Sequence, residues 1–228
     1  MTTWLRVQAV SWTPVLLAAA WLGAAGVAGW LPFVAAYVLL SHVALVAILR
    51  AGRTPADVAT IARALGVVEL LWLDPFASPW RTWTLAACVA AFDLVDGWLA
   101  RRFGGSDGGA VLDMETDQST VLALALLVVA GGGAPHVLLL PLMRYAFVLA
   151  AWWWAIPAHD PKPVDGDNGR GRLVCAAVVV GLLAALLPCA AAWLREAATG
   201  VAVLLLLWSF GSDWSFLIAR RRAQRVAG

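Results

Sequence analysis

The stretch "FDLVDGWLARRFGGSDGGAVLDMETD", from Phe92 to Asp117, decides the interpretation of the chain because it places four aspartates beside long apolar segments. An ionised carboxylate at the centre of a bilayer costs about 2.5–3.5 kcal/mol on insertion scales. Four carboxylates without partners would therefore be too costly to keep. The stretch predicts a positive partner among Asp93, Asp96, Asp113 and Asp117.

The composition is that of an integral membrane protein. Of the 228 residues, 62% are hydrophobic and 13% are charged, and the mean hydropathy is +0.82. Soluble globular domains contain about 45–50% apolar residues, so this chain is far outside their range. The placement of its charges is consequently more informative than the net charge of +2, because in membrane proteins charge placement sets topology.

Turn-like and charged breaks divide the sequence into about eight apolar segments, most of them close to the 20 residues that cross a bilayer as a helix. We predict helices at Val10–Trp30, Leu31–Leu49, Val58–Leu73, Trp80–Leu99, Ala110–Val129, Val137–Ile156, Leu173–Leu194 and Thr199–Ala219. The polar connection "PAHDPKPVDGDNGRGR", residues 157–172, is rich in Pro, Gly and Asp and is predicted to be a loop. The predicted fold is an all-α integral membrane protein.

The basic residues fall mainly on one side of this topology. With a cytoplasmic amino terminus, the cytoplasmic side receives Arg6, Arg50, Arg53, Arg101, Arg102, Lys162, Arg170, Arg172, Arg220, Arg221, Arg222 and Arg225. Arg81 and Arg195 fall on the opposite side, so the bias places both termini in the cytoplasm. The aspartate-rich stretch covers one cytoplasmic turn, and its site is expected to open toward cytosolic solutes. The terminal "RRRAQR" is interpreted as a topology signal beside anionic lipid headgroups rather than a nucleic-acid contact.

Helical spacing gathers the acidic residues on two faces. Steps of three and four place Asp93, Asp96, Gly97, Ala100 and Arg101 on one face, and Gly109, Asp113 and Asp117 on another. Two helices joined by "RFGGSDGG" can therefore bring two carboxylates each to a common centre. Oxygen ligands of this kind suit Mg2+ or Mn2+, which often shares its coordination shell with substrate phosphates. The pattern predicts aspartates that surround a metal and, through it, a phosphate ester.

The spacing D-x2-D-G-x2-A-R-x7-G-x3-D-x3-D resembles the signature of the CDP-alcohol phosphotransferases, integral membrane enzymes of phospholipid synthesis. It is filled here by Asp93, Asp96, Gly97, Ala100, Arg101, Gly109, Asp113 and Asp117. Upstream, "TPADVATIAR" resembles the family element N-x2-T-x2-R through Asp57, Thr60 and Arg63, with Asp57 in place of the usual Asn. The resemblance implies a six-helix core over residues 54–228, preceded by two further transmembrane helices in residues 1–53.

The resemblance also implies a reaction and its residues. A phosphatidyl group would pass from CDP-diacylglycerol to a small alcohol, with release of CMP. Asp93, Asp96 and Asp113 would bind Mg2+ or Mn2+, and Asp117 would complete a two-metal site or act as the general base. The CDP-linked lipid would contact Thr60, Asp93, Gly97, Ala100, Arg101 and Gly109. The family further implies a homodimer, and the expected location is the bacterial plasma membrane.

The acceptor-binding residues are expected among basic side chains near the site. Arg144 lies inside an apolar span, where an unpaired Arg is costly, so a site role competes with a structural ion pair. Lys162, Arg170 and Arg172 either hold an acceptor phosphate, as comparable residues do in the family, or anchor the loop to anionic headgroups. The first alternative implies glycerol 3-phosphate or an inositol phosphate as acceptor. Asp213 either partners a basic residue of the acceptor pocket or pairs structurally.

Two alternatives to this enzyme assign the aspartates differently. They could form an intramembrane salt-bridge network with Arg63, Arg101 and Arg144 and have no further task. A transporter of divalent cations or protons would also use intramembrane aspartates. The sequence weighs against a transporter, because the carboxylates cluster at one cytoplasmic turn and no inverted repeat or pair of broken helices is apparent. A non-catalytic subunit is disfavoured because all eight signature positions are intact.

Overall fold

The structure is a computed structural model that describes residues 8, 10–12, 14–15, 18, 29–73, 76–154 and 169–227. Within these residues the chain forms seven α-helices and no strand. The helices are α1 (Trp30–Leu49), α2 (Pro55–Trp72), α3 (Pro79–Phe103), α4 (Asp107–Ala130), α5 (Leu139–Trp153), α6 (Gly169–Leu186) and α7 (Ala192–Ala227). A short 3-10 turn, Pro135–Leu138, precedes α5. The all-α prediction is confirmed.

Three of the described helices are long and apolar enough to cross a membrane: α1, α3 and the Ala192–Ser215 part of α7. Helices α2 and α4 are of similar length, at 18 and 24 residues, but both carry charged residues well inside the helix, such as Arg63 and Asp117. Several of these charges pair with each other inside the bundle, as Arg63 of α2 does with Asp113 of α4. The chain is an all-α membrane protein whose buried polar side chains, among the described residues, lie mostly on α2 and α4.

Helix α4 is the centre of the bundle. It packs against α1, α2, α5 and α6, and its second half, from Leu122 to Val128, is buried on every face. A helix that is buried all round belongs to the interior rather than to the lipid-facing surface. Because this half of α4 is fixed by packing, the first half, with Asp113 and Asp117, is presented from a rigid frame.

The starts of α2 and α4 are defined by caps. Thr54 and Asp57 form a capping box at the start of α2, with Pro55 in the first turn. At the start of α4, the Ser106 hydroxyl accepts a hydrogen bond from the backbone N–H of Gly109 at 2.8 Å. Both helices therefore begin at defined residues beside the candidate site.

The amino-terminal residues described pack on α1 and α5. The buried ring of Trp12 meets Tyr37 edge-on, with centroids 4.6 Å apart, and stacks on Tyr145 at 6.2 Å. The side-chain amide of Gln8 donates to the Ser41 hydroxyl at 2.5 Å. Most of the first predicted span lies outside the described residues, and the division into residues 1–53 and 54–228 stays a prediction.

Several helix ends differ from the sequence prediction. The seventh predicted span, Leu173–Leu194, contains a break: α6 ends at Leu186 and α7 begins at Ala192. Pro188 accounts for this break, because proline has no N–H to donate and its ring clashes with the preceding turn. Residues 157–168 of the predicted loop lie outside the described residues, whereas residues 169–172 already belong to α6.

Candidate active site

The predicted carboxylate cluster forms where α3 and α4 meet. Carboxylate oxygens of Asp93 and Asp96, from α3, and of Asp113, from α4, lie within 4.8 Å of one another. Asp117 lies one turn beyond Asp113 on α4, and both carboxylates contact the guanidinium of Arg63 of α2. The expectation that two helices bring their aspartates to a common centre therefore agrees with the structure.

Arg63 of α2 lies in the middle of the cluster and contacts all four carboxylates. Its Nη1 atom is 2.5 Å from Oδ1 of Asp93 and 3.5 Å from Oδ2 of Asp96. Its Nη2 atom is 2.6 Å from Oδ1 of Asp113 and 2.8 Å from Oδ1 of Asp117. The guanidinium of Arg63, on α2, thus links α3 to α4. It also supplies the positive partner that the sequence predicts.

The cluster has a buried side and a solvent-accessible side. The side chains of Arg63 and Asp96 are only 1% and 4% exposed. By contrast, the side chains of Asp93, Asp113 and Asp117 are 52%, 43% and 55% exposed. Three of the carboxylates therefore lie partly at the protein surface, while the fourth is held inside the protein.

Thr60 supports the buried side. Its hydroxyl lies 3.1 Å from the carbonyl oxygen of Ala56 and 3.3 Å from Oδ2 of Asp96. The single hydroxyl proton can be donated to either oxygen. Thr60 therefore contacts a proposed metal ligand directly, which makes it a candidate for orienting Asp96.

The donor atoms fit a hard divalent cation. They are all carboxylate oxygens, they come from two rigid helices, and three of them lie within 4.8 Å of one another. The guanidinium of Arg63 already shows that positive charge is stabilised at this position. Mg2+ and Mn2+ prefer such oxygen ligands, so Asp93, Asp96, Asp113 and Asp117 are suitable to hold either ion.

The signature glycines lie at positions where side chains approach the backbone closely. A Cβ atom on Gly109 would be 1.9 Å from Oδ1 of Asp57, so no larger residue fits without movement. A Cβ atom on Gly97 would be 3.3 Å from Nη1 of Arg101, whose side chain is exposed beside it. Ala100, on the same helix, is half-buried. Gly109 is therefore explained by packing, whereas Gly97, Ala100 and Arg101 lie on the more open face.

Arg144 of α5 forms an ion pair with α4. Its Nη2 atom donates to Oε1 of Glu115 at 2.8 Å, and its Nη1 atom donates to the carbonyl oxygen of Met114 at 2.8 Å. Glu115 is 5% exposed and Arg144 is 18% exposed. Glu115 is not one of the eight signature positions, although an acidic residue inside an apolar span is itself a signal for a paired partner.

The other acceptor candidates are only partly covered by the structure. Lys162 lies outside the described residues. Arg170 and Arg172 lie at the start of α6, a helix that packs against α4. Asp213 is on α7 and is half-buried. Their roles stay predictions.

Arg63 is the residue whose position the sequence prediction left most open. It was expected as part of the upstream family element and as one member of a possible salt-bridge network. Of the three arginines in that network, Arg63 contacts the aspartates and Arg144 pairs with Glu115. The signal for Arg63 was available, because an Arg within an apolar helix requires partners of opposite charge.

Comparison with known proteins agrees with the motif. A family model described as CDP-alcohol phosphatidyltransferase matches residues 53–209. The Phosphatidylinositol phosphate synthase of Mycolicibacterium smegmatis (strain ATCC 700084 / mc(2)155) is 39% identical over 132 residues, which is 57% of this chain and 49% of that relative. The chain thus spans about half the length of the curated relative it matches. No solved structure matches the chain significantly.

Proposed function

The chain belongs to the CDP-alcohol phosphatidyltransferase family, and from this premise we propose that it transfers a phosphatidyl group from CDP-diacylglycerol to a small phosphorylated alcohol. CMP is the other product. The observation that carries this proposal is the meeting of Asp93, Asp96, Asp113 and Asp117 around one buried guanidinium, with three of the carboxylates about half exposed. The family signature and this geometry concern the same four residues.

The reaction forms one bond to phosphorus and breaks another. The acceptor hydroxyl oxygen attacks the lipid-side phosphorus of the diphosphate, and the bond from that phosphorus to the oxygen of CMP breaks. Asp117 takes the proton from the attacking hydroxyl, for which its half-exposed carboxylate is accessible. Asp93, Asp96 and Asp113 hold the divalent cations, proposed to be two Mg2+ or Mn2+ ions. When bound, such ions neutralise the diphosphate and stabilise the attacking and leaving oxygens.

The donor is proposed to bind on the open face of α3. Arg101 is exposed beside Gly97 and can pair with a phosphate oxygen of the CDP group. Ala100, on the same face, leaves room for the nucleotide. Thr60 contributes through its hydrogen bond to Asp96. Gly109 contributes indirectly, because its missing side chain leaves space for Asp57.

An inositol phosphate is the preferred acceptor, ahead of glycerol 3-phosphate. The matched mycobacterial relative is named for synthesis of phosphatidylinositol phosphate, and this supports an acceptor that already carries phosphate. Arg144, Lys162, Arg170 and Arg172 are proposed to bind that phosphate, with Asp213 orienting one of them. Lys and Arg at such a site favour an anionic group over a neutral alcohol.

The enzyme is proposed to work as a homodimer in the bacterial plasma membrane. The excess of Lys and Arg on one side of the chain supports an active site and both termini that face the cytoplasm. This orientation matches the reaction, since CDP-linked donors and phosphorylated acceptors are charged solutes or headgroups that approach from the aqueous side.

The experiment for the acceptor uses matched pairs of alcohols. Purified protein in lipid nanodiscs receives CDP-diacylglycerol and either Mn2+ or Mg2+. Each reaction also contains one acceptor, taken from the pair inositol phosphate and inositol or from the pair glycerol 3-phosphate and glycerol. Serine is tested as a further unphosphorylated alcohol. The proposal predicts CMP release with inositol phosphate and little with inositol. Equal rates with the phosphorylated and unphosphorylated members of each pair would contradict a phosphate-binding acceptor site.

A further inference from the structure

Arg63 is bonded to every member of the aspartate cluster and is buried beneath it. The four contacts range from 2.5 to 3.5 Å, and the side chain is 1% exposed. The Nε atom of Arg63 is buried and has no hydrogen-bond partner among the described residues. The polar contacts of the guanidinium are therefore made by its two Nη atoms. The shortest of these contacts, 2.5 and 2.6 Å, are to the proposed metal ligands Asp93 and Asp113.

We propose that Arg63 is the resident cation of the four-aspartate site, that is, the positive group that neutralises the carboxylates when no metal is bound. Divalent cations then compete with Arg63 for the same carboxylate oxygens. In the metal-free protein, Arg63 holds the two helices together at the cluster. When a divalent cation binds, some of the contacts of Arg63 are exchanged for contacts to that cation. This inference rests on the proposed function, because it takes the aspartates as metal ligands.

The distances disfavour binding of a divalent cation and of the Arg63 guanidinium to the same carboxylate oxygens at the same time. Magnesium binds carboxylate oxygens at about 2.0–2.1 Å. The Nη1 atom of Arg63 is already 2.5 Å from Oδ1 of Asp93, and Nη2 is 2.6 Å from Oδ1 of Asp113. A cation bound to those two oxygens would lie within a few ångströms of the buried guanidinium, and like charges at that separation repel each other. Binding of the metal therefore requires Arg63 to give up part of its contacts.

The remaining contact of the guanidinium is weak. Nη2 lies 3.4 Å from the backbone carbonyl oxygen of Asp113, at the long end of hydrogen-bond distances. Structural arginines usually satisfy all their buried donors, and the unpaired Nε atom of Arg63 departs from that rule. Among the described residues, Arg63 therefore relies on the four carboxylates for nearly all of its polar contacts.

A resident cation has a physical advantage in a membrane protein. Four carboxylates without a counter-charge are costly to place in an apolar bundle, and this cost applies from insertion until metal is bound. Arg63 reduces the cost without a metal. Arg144 offers a matched comparison, because it is also an intramembrane arginine in an ion pair but its partner, Glu115, is outside the cluster.

The test compares wild type with Arg63→Gln and the control Arg144→Gln, as full-length proteins in detergent micelles. Melting temperatures are measured in EDTA and in saturating Mn2+, and Mn2+ affinity is measured by calorimetry. We expect Arg63→Gln to melt several degrees below wild type in EDTA and to regain most of this loss in Mn2+. We also expect it to bind Mn2+ at least about tenfold tighter, because a competing positive charge has been removed.

The control separates competition from general destabilisation. Arg144→Gln is expected to lose the same number of degrees in EDTA and in Mn2+, with an unchanged Mn2+ affinity. If Arg63→Gln binds Mn2+ more weakly than wild type, or its loss is the same in both conditions, competition is wrong while the proposed function stands. If wild type binds no Mn2+ at all, both the inference and the metal site of the proposed function are overturned.

A second variant covers the case in which Arg63→Gln does not fold. Arg63→Lys keeps one positive charge, but a single ammonium cannot reproduce the two-nitrogen fork that reaches both helices. It is expected to be destabilised in EDTA and restored by Mn2+. If either variant can be purified only when Mn2+ is present throughout, the inference is supported. If the melting temperature of Arg63→Lys is lowered by the same amount in EDTA and in Mn2+, the inference is overturned.

Discussion

Asp57 occupies the space that a side chain at Gly109 would need: a Cβ atom on Gly109 would lie 1.9 Å from Oδ1 of Asp57. The Ser106 hydroxyl donates to the carboxylate of Asp57 and accepts from the backbone N–H of Gly109. The start of α2 is thereby joined to the start of α4. These two helices carry Arg63 and Asp113, so the contact sets the separation of groups that meet at the active site.

Substitution of Gly109 by alanine is predicted to disturb this contact. The added methyl would overlap Asp57, and overpacking of this kind costs about 1–3 kcal/mol. Because α4 has to move relative to α2, we expect both a lower melting temperature and a lower rate of CMP release. The control is Gly105→Ala in the same connection, where the nearest atom to the new Cβ would be 3.8 Å away. Equal melting temperatures for the two variants would contradict the packing role of Gly109.

Asparagine at position 57 is predicted to be tolerated, whereas alanine is not. The Oδ2 atom of Asp57 accepts hydrogen bonds from the backbone N–H groups of Gly52, Arg53 and Thr54. In Asp57→Asn, the amide oxygen can keep this position while the amide nitrogen faces Ser106. In Asp57→Ala, three backbone N–H groups lose their acceptor. A hydrogen bond of this kind contributes about 0.5–1.5 kcal/mol.

The measurement for position 57 is thermal unfolding of both variants beside wild type. Asp57→Asn should melt close to wild type and Asp57→Ala well below it. This result would also explain how the chain keeps the upstream family element with Asp in place of Asn. A melting temperature for Asp57→Asn as low as that of Asp57→Ala would show that the negative charge itself is required.

The sequence was sufficient to predict the carboxylate cluster, because spacings of three and four residues on two helices with a short connection leave few arrangements. It was not sufficient to place Arg63 among those carboxylates. That contact depends on how α2 packs against α3 and α4, which is a relationship between residues 30 to 50 positions apart. Local periodicity carries no information on such packing.

Helix ends were predictable only where the sequence contains a strong break. Pro188 is such a break, and it ends the seventh predicted helix before Leu194.

The pairing of Arg144 with Glu115 was not predicted from the sequence. Both residues are visible as intramembrane charges, but which acidic residue an arginine selects is decided by the packing of α5 on α4.

Arg144→Gln is predicted to act on the acceptor rather than on the donor. If Arg144 binds the acceptor phosphate, its loss raises the KM for inositol phosphate and leaves the KM for CDP-diacylglycerol near the wild-type value. Glu115→Gln is the matched variant, because it keeps the shape of the partner of Arg144 and removes its charge. An increase in both KM values, or in neither, would indicate that the Arg144–Glu115 pair is structural.

Substitutions of Asp93 and Asp117 are predicted to affect different properties, metal binding for Asp93 and turnover for Asp117. Asp93→Asn should weaken Mn2+ binding, because a neutral amide oxygen is a poorer ligand for a hard cation than a carboxylate. Asp117→Asn should retain substantial Mn2+ binding and lose turnover, because an amide cannot take the proton of the acceptor hydroxyl. Calorimetry with Mn2+ and CMP release, both on purified protein, distinguish the two. Wild-type rates in both variants would exclude these roles.

The central claim is that the four-aspartate site releases CMP from a CDP-linked lipid, and the most direct measurement is metal-dependent CMP release by purified protein. Wild type and Asp117→Asn are compared in nanodiscs with CDP-diacylglycerol, inositol phosphate and Mn2+, with EDTA as the metal-free condition. We predict one CMP for each phospholipid formed by wild type, none in EDTA, and a rate at least about a hundredfold lower for Asp117→Asn. Absence of CMP release, together with Mn2+ or proton flux through the same protein in liposomes, would contradict the enzyme and support a transporter.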